Sequence, residues 1–377
     1  HGTLTLADPG AGNFAVDLGA GADELHWGAL GAIDQAATLG AGNDSFFLFS
    51  DATVSVTVDG GADTDALTLA GEGDDTLDLT NIVNFETLTK IDGGTWRLVD
   101  TTSFQSLLVS EGTLVLEAGG ILNITGIDGA VIRGTYDVFG THNTSFSTNV
   151  TGTLNVKDGG IYNATGTVLD GGHLNVEANG QYVDTGTIIG GDAADLITVA
   201  GTLSAVGTIF LGDGANQIVV TAGGSLSAAS VVLGLDADLV KIGTGGTWSG
   251  DLDLGAGANS FENDGTFTGS VTAGAGIDEF ANLANGTISG SVDLGGGADI
   301  GTNLGEIALD LMLGAGQDQF LNAGAILGNV DMGTGDDAFA LVIGGSVGGT
   351  IDGGEGTDSL ILGGTGAQGF NLSPIVR

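Results

Sequence analysis

A right-handed parallel β-helix of about twenty residues per coil is the fold this sequence predicts, and three observations lead there. The first is a repeat. Ala-Gly-Ala-Gly-Ile-Asp-Glu-Phe begins at Ala273, Leu-Gly-Gly-Gly-Ala-Asp-Ile at Leu294, Leu-Gly-Ala-Gly-Gln-Asp-Gln-Phe at Leu313, Met-Gly-Thr-Gly-Asp-Asp-Ala-Phe at Met332 and Asp-Gly-Gly-Glu-Gly-Thr-Asp-Ser-Leu at Asp352. The second is the vocabulary inside each copy: an apolar residue, a Gly-x-Gly turn, Asp, an apolar residue, then a short alternating run such as Gly-Ser-Val-Asp-Leu over 290–294. That pattern is strand and turn, with no helical periodicity. The third is composition, with 73 Gly, 2 Pro and 42% hydrophobic residues in 377, and a mean hydropathy of +0.32. Such a chain is too apolar for disorder and has no collagen period, so it folds around a narrow core of small side chains. A unit this short cannot bury its own apolar face, so each copy must lie on the next. Coils add length without adding domains, and one domain spanning 1–377 is expected.

Three regions succeed one another. Residues 1–84 use acidic turns: Leu-Gly-Ala-Gly-Ala-Asp-Glu-Leu from Leu18, Leu-Gly-Ala-Gly-Asn-Asp-Ser-Phe from Leu39, and the doubled acids Asp63/Asp65 and Asp74/Asp75. Thr53 to Val58 reads Thr-Val-Ser-Val-Thr-Val, a strict β-branched alternation that predicts a strand. Over 85–199 Asn, Thr and Gly replace the acids. Leu114-Val115-Leu116, Leu122-Asn123-Ile124, Leu154-Asn155-Val156 and Leu174-Asn175-Val176 are expected strands, and a protruding loop is expected between Tyr136 and Thr151. From Gly190 the acidic turns return and dominate 200–377. Asn216 and Asn259 stand where other copies have Asp, so the position selects a short side chain that turns back onto local backbone. Roughly eighteen coils rising ~4.8 Å each are expected.

Six Lys and Arg against 47 Asp and Glu give a formal charge of -41. That excludes nucleic acid as a direct partner and requires screening by salt or bound cations. The lack of Cys suits a chain that crosses a periplasm unfolded. No apolar run is long enough to span a bilayer and no signal peptide precedes His1, so a mature or excised segment is expected.

Stacking the repeats places Asp278, Asp299, Asp318, Asp337 and Asp358 in one column. Carboxylates ~4.8 Å apart repel by roughly 1 kcal/mol in water, and by several times that in a partly buried setting. The column can splay its side chains into solvent as Asx turns, accept hydrogen bonds from turn Gly N–H groups, or bind hard cations. For a cation, Asp63/Asp65, Asp74/Asp75 and Asp336/Asp337 are the favoured pairs. Catalysis has little to stand on. His1, His26, His142 and His173 read as surface or turn residues, and no Cys nucleophile exists. Neither Arg97 nor Arg133 adjoins an acidic turn in sequence, and no enzyme activity is expected.

From Thr87 to Leu116 the chain runs Thr-Leu-Thr-Lys-Ile-Asp-Gly-Gly-Thr-Trp-Arg-Leu-Val-Asp, then Phe104, Leu107, Leu108 and Val109, then Glu-Gly-Thr-Leu-Val-Leu. This resembles the passenger-associated repeat of bacterial autotransporters. A second copy, Val240-Lys241-Ile242-Gly243-Thr244-Gly245-Gly246-Thr247-Trp248, places Trp248 where the first has Trp96, which implies packing roles for both. The resemblance implies an extracellular β-helix on a Gram-negative cell surface, tethered through a C-terminal outer-membrane barrel that is not in this sequence. It implies an adhesin or self-associating spacer rod whose partners are a host or neighbouring-cell ligand or further copies of itself. The Gly-x-Gly-x-Asp turns also resemble the repeats-in-toxin nonapeptide, which implies Ca²⁺ at the acidic turns and, as an alternative, a secreted or surface-layer structural protein. That family turns every nine residues, whereas these turns recur about every twenty.

Overall fold

The computed structural model describes residues 2–6, 15–28 and 35–363, and the backbone of the strand Ile375–Val376. The chain is 55% strand and 1% helix, a parallel β-solenoid of about 16 turns spaced ~21 residues apart. The predicted fold class is therefore observed, with fewer turns than expected. Two compact units occur: His1–Val168 with Gly172–Thr185, and Leu169–Gly171 with Gly186–Arg377. Among the described residues no helix is long and apolar enough to cross a membrane.

In the first unit Glu24–Trp27, Ser45–Phe49, Ala66–Ala70 and Thr87–Lys90 pair in parallel, bringing Leu25, Phe46, Leu67 and Leu88 into one buried row. Alternation along each strand turns these residues inward and their neighbours outward. A second face, from Asp74–Leu77 to His173–Val176, stacks Leu114, Tyr136, Leu154 and Leu174 in register. The strands expected around Leu114, Leu122, Leu154 and Leu174 all form.

Two local expectations fail. Residues 53–57 have no strand pairing among the described residues, and the strand begins only at Val58. A period of two specifies extended backbone, but a strand also needs a ladder partner. The loop expected over 136–151 is instead the strands Thr135–Val138, Thr141–Thr144 and Thr148–Val150. Tyr136, His142 and Thr148 point inward and are fully buried, so polar composition there marks a polar interior and not an excursion.

In the second unit the strands Ser260–Asn263, Glu279–Asn282, Ile300–Asn303, Gln319–Asn322, Ala338–Leu341 and Ser359–Leu362 pair in parallel. Phe261 and Phe280 stack with centroids 5.4 Å apart, and Phe320 and Phe339 at 5.8 Å. Gly301 occupies the same row between them. Phe320 fills the vacant space and lies 6.2 Å from Phe280, and a Cβ on Gly301 would meet its ring at 2.1 Å. One missing side chain is thus replaced by its neighbour.

Both Trp residues are buried, as packing roles require, but they are not equivalent. Trp96 Nε1 donates to Ala70 O, 26 residues away, at 3.1 Å, whereas Trp248 Nε1 donates to Gly250 O at 3.0 Å. Lys90 is fully buried and its ammonium donates to the turn carbonyls of Ile91, Asp92 and Glu111. Lys241 is exposed, pairing with Glu262 at 2.7 Å. Lys241 lies one residue further from its Trp than Lys90 does, and a one-residue slip moves a side chain to the opposite face.

Candidate functional site

The acidic repeat positions converge because each stands two residues before a position that faces the core, apolar in every copy named below and Gly301 after Asp299. Asp44-Ser-Phe46, Asp65-Ala-Leu67, Asp278-Glu-Phe280, Asp318-Gln-Phe320 and Asp337-Ala-Phe339 share this step, so an inward Phe or Leu carries its Asp inward too. Asp44, Asp65, Asp278, Asp299, Asp318 and Asp337 are each at most 2% exposed. Each uses one oxygen to accept a backbone N–H from the corresponding residue of the preceding coil. In the first unit Asp44 accepts from Asp23 at 2.7 Å, Asp65 from Asp44 at 2.8 Å and Glu86 from Asp65 at 2.7 Å. In the second unit the series runs unbroken. Asn216 accepts from Asp195, Asp238 from Asn216, Asn259 from Asp238, Asp278 from Asn259, Asp299 from Asp278, Asp318 from Asp299, Asp337 from Asp318 and Asp358 from Asp337, at 2.7–3.1 Å.

The predicted column Asp278, Asp299, Asp318, Asp337 and Asp358 therefore exists, but it is an internal ladder. Asx turns do occur, at a different aspartate: Asp253, Asp293, Asp331 and Asp352 accept from the Gly N–H two residues on, at 3.0–3.1 Å. Asn216 and Asn259 are rungs as well, and the backbone N–H their Oδ1 accepts comes from a neighbouring coil.

The doubled acids do not converge. Asp65 and Asp337 point inward while Asp63 and Asp336 are exposed, and Asp336 accepts from Thr357 N at 2.9 Å. Asp75 accepts from Asp51 N at 3.0 Å. Asp74 is clasped by Arg97, with Nε to Oδ1 at 3.0 Å and a second bond at 3.2 Å, and Arg97 also reaches Glu117 at 3.0 Å. Arg97 thus does adjoin an acidic turn, 23 residues away in sequence. Among the described residues, no three His, Cys, Asp or Glu side chains gather into a metal-binding group. At Asn216 and Asn259 an amide NH₂, which is no cation ligand, stands where an aspartate rung has its second oxygen.

The Gly-x-Gly turns result from stacking. A Cβ on Gly297 would lie 1.5 Å from Gly276 O, on Gly316 1.3 Å from Gly297 O, and on Gly335 1.4 Å from Gly316 O. At these three positions the stacked turns are too close for a side chain.

Further interior groups escaped sequence reasoning. Asn263, Asn282, Asn303 and Asn322 form a side-chain ladder, each Nδ2 donating to the next Oδ1 at 2.8–2.9 Å. The step Asp278-x-Phe280-x-Asn282 carries its signal, all three on the inner face. In the first unit His142 is fully buried, which overturns its reading as a surface or turn residue. Its ring stacks on Tyr162 at 4.3 Å, and Tyr162 on Tyr182 at 5.3 Å. Tyr136 Oη lies 3.1 Å from His142 Nδ1, and Thr148 Oγ1 lies 2.9 Å from Tyr162 Oη. Burial pushes the His142 pKa down to about 3 and holds the Tyr162 phenol above its usual range. His173 is exposed and His26 half-buried, while His1 lies outside the described residues.

Fold and interior ladders together define a repeat protein of the parallel β-helix class. No protein-family model matches the sequence, and no curated protein shows significant similarity to it.

Proposed function

We propose that the chain is a non-enzymatic, extracellular passenger of autotransporter type, an adhesive or self-associating surface rod. The observation that supports this reading is a charge-free stretch of sheet on a strongly anionic protein. On the outer face of Ile300–Asn303, Gln319–Asn322, Ala338–Leu341 and Ser359–Leu362, the side chains of Ile300, Leu321, Ala338, Ala340 and Ile361 line a shallow groove of about 250 Å³. Ile300 and Ile361 are more than half exposed. The corresponding outward positions of the two preceding coils include Glu262 and Glu279. Two copies of a chain with a formal charge of -41 meet at least Coulombic cost where neither presents a carboxylate. Salt screens the remainder, so association strengthens with ionic strength.

Sedimentation of the chain at low and high salt, and with millimolar calcium or chelator, tests this reading. Mass is expected to rise with concentration at high salt, and Leu321→Glu, which puts a carboxylate into the groove, is expected to suppress the rise. A monomer under all conditions, or a Leu321→Glu variant that associates like its parent, counts against the groove. The export route is tested separately by whether the reading frame beyond Arg377 encodes an outer-membrane barrel.

A further inference from the structure

We propose that the buried rung aspartates of the second unit are proton-binding sites, each taking a proton on Oδ2 that is donated to a neighbouring turn carbonyl, so that the ladder is complete only when protonated. The two asparagine rungs reveal what the position requires. Asn216 and Asn259 accept the intercoil N–H on Oδ1 as the aspartates do. Their Nδ2 atoms, in the place of the aspartate Oδ2, donate to Gly212 O at 3.0 Å and to Gly257 O at 2.9 Å. Each amide rung therefore meets an N–H on one side and a carbonyl on the other, and uses one acceptor and one donor. An ionised carboxylate supplies no donor. In Asp238, Asp278, Asp299, Asp318 and Asp337, Oδ2 is buried and has no hydrogen-bond partner. The neutral acid satisfies both sides, as the amide does.

The charges around these rungs act in the same direction. Asp236 faces Asp238, Asp278 and Asp318 flank Asp299, Asp337 faces Asp318, and Asp336 and Asp358 face Asp337. None of the five forms an ion pair among the described residues. Burial is the largest influence. It raises Asp238 and Asp299 from 3.8 to about 6, and raises Asp278, Asp318 and Asp337 in the same direction, against the opposing pull of the intercoil N–H, which is joined at Asp238 by the Asn216 amide and the Gly234 N–H and at Asp278 by the Asn259 amide. A carboxyl whose pKa is higher folded than unfolded stabilises fully below its unfolded value. That contribution fades as pH rises through the folded value, here between 3.8 and about 6.

The test compares the full chain, the double variant Asp299→Asn/Asp318→Asn, and a charge-matched control at exposed sites, Glu279→Gln/Glu306→Gln. Amide-exchange protection over 278–322, corrected for intrinsic rates, is measured at about pH 5 and about pH 7.5, with infrared detection of protonated carboxyl groups. Acidification is expected to raise protection in the parent and the control by roughly tenfold or more. The double variant is expected to be better protected than the control near neutral pH and to respond much less to acid. A protonated-carboxyl band is expected in the parent in mild acid, fading toward neutral pH and weaker in the double variant. The proposal is overturned by a double variant whose pH response equals the control's, or by a parent without that band in mild acid. It is equally overturned if calcium near neutral pH protects the parent and not the double variant, which would make the missing partner a cation. If the double variant does not fold, the single variant Asp318→Asn is compared with Glu306→Gln by the same two measurements, and an equal pH response and an equal band overturn the proposal.

Discussion

Replacing Gly335 with alanine is expected to cost the second unit roughly 3 to 5 kcal/mol, from backbone strain and overpacking together. Its φ is +139°, and the added Cβ would fall 1.4 Å from Gly316 O, a backbone atom that cannot rotate aside. Gly223 separates the two contributions. It has φ +78° but open space around its Cβ position, so Gly223→Ala is expected to cost only about 1 to 2 kcal/mol. Urea unfolding of the full chain, with fragment-resolved amide exchange to track each unit, measures both. Equal losses at the two sites would mean that turn conformation, and not the approach of stacked coils, selects glycine in the repeat.

Acid is expected to weaken the first unit through His142. Its pKa is about 3 in the folded chain against 6.5 ordinarily, so its neutral form is the folded one. Stability is fully present above 6.5 and falls as pH drops toward 3, by about 5 kcal/mol at the lower end. The groups facing the ring are neutral phenols, Tyr136 through a hydrogen bond and Tyr162 through stacking, and neither compensates an imidazolium charge. His142→Phe keeps a ring in the stack and removes the titration. Unfolding free energies of parent and variant at about pH 7 and about pH 4 are expected to show a loss on acidification that is about 3 kcal/mol smaller in the variant. Equal losses would place the acid sensitivity elsewhere. This direction is opposite to that proposed for the rungs of the second unit, so exchange resolved to each unit distinguishes the two.

Much of this architecture is legible in the residues. The recurrence of Gly-x-Gly-x-Asp fixes the coil length, and it correctly places Asp278, Asp299, Asp318, Asp337 and Asp358 in one column. The side of the sheet on which that column lies is equally encoded, since four of the five precede a Phe or Leu by two positions and only Asp299 precedes a glycine, but acidic residues are ordinarily assigned to solvent. The same habit turns Tyr136, His142 and Thr148 into a loop. Trp96 and Trp248 look alike by motif, yet the differing Lys-to-Trp spacing sends Lys90 into the core and Lys241 to the surface. Arg97 and Asp74 meet only because the coils stack, and no local pattern announces a contact between residues 23 positions apart. Residues 53–57 show the converse, a strand pattern with no strand pairing among the described residues.

In-register stacking is tested most directly by the distance between spin labels on cysteines replacing Glu279 and Ser359, which is feasible because the chain has no cysteine of its own. The two positions are joined through Ile300, Gln319 and Ala338 in the strand register, four steps apart. At ~4.8 Å per step, an electron-spin distance near 20 Å, broadened by the label arms, is expected. A distance beyond roughly 35 Å, or one spread without a maximum, would contradict successive coils lying one upon another.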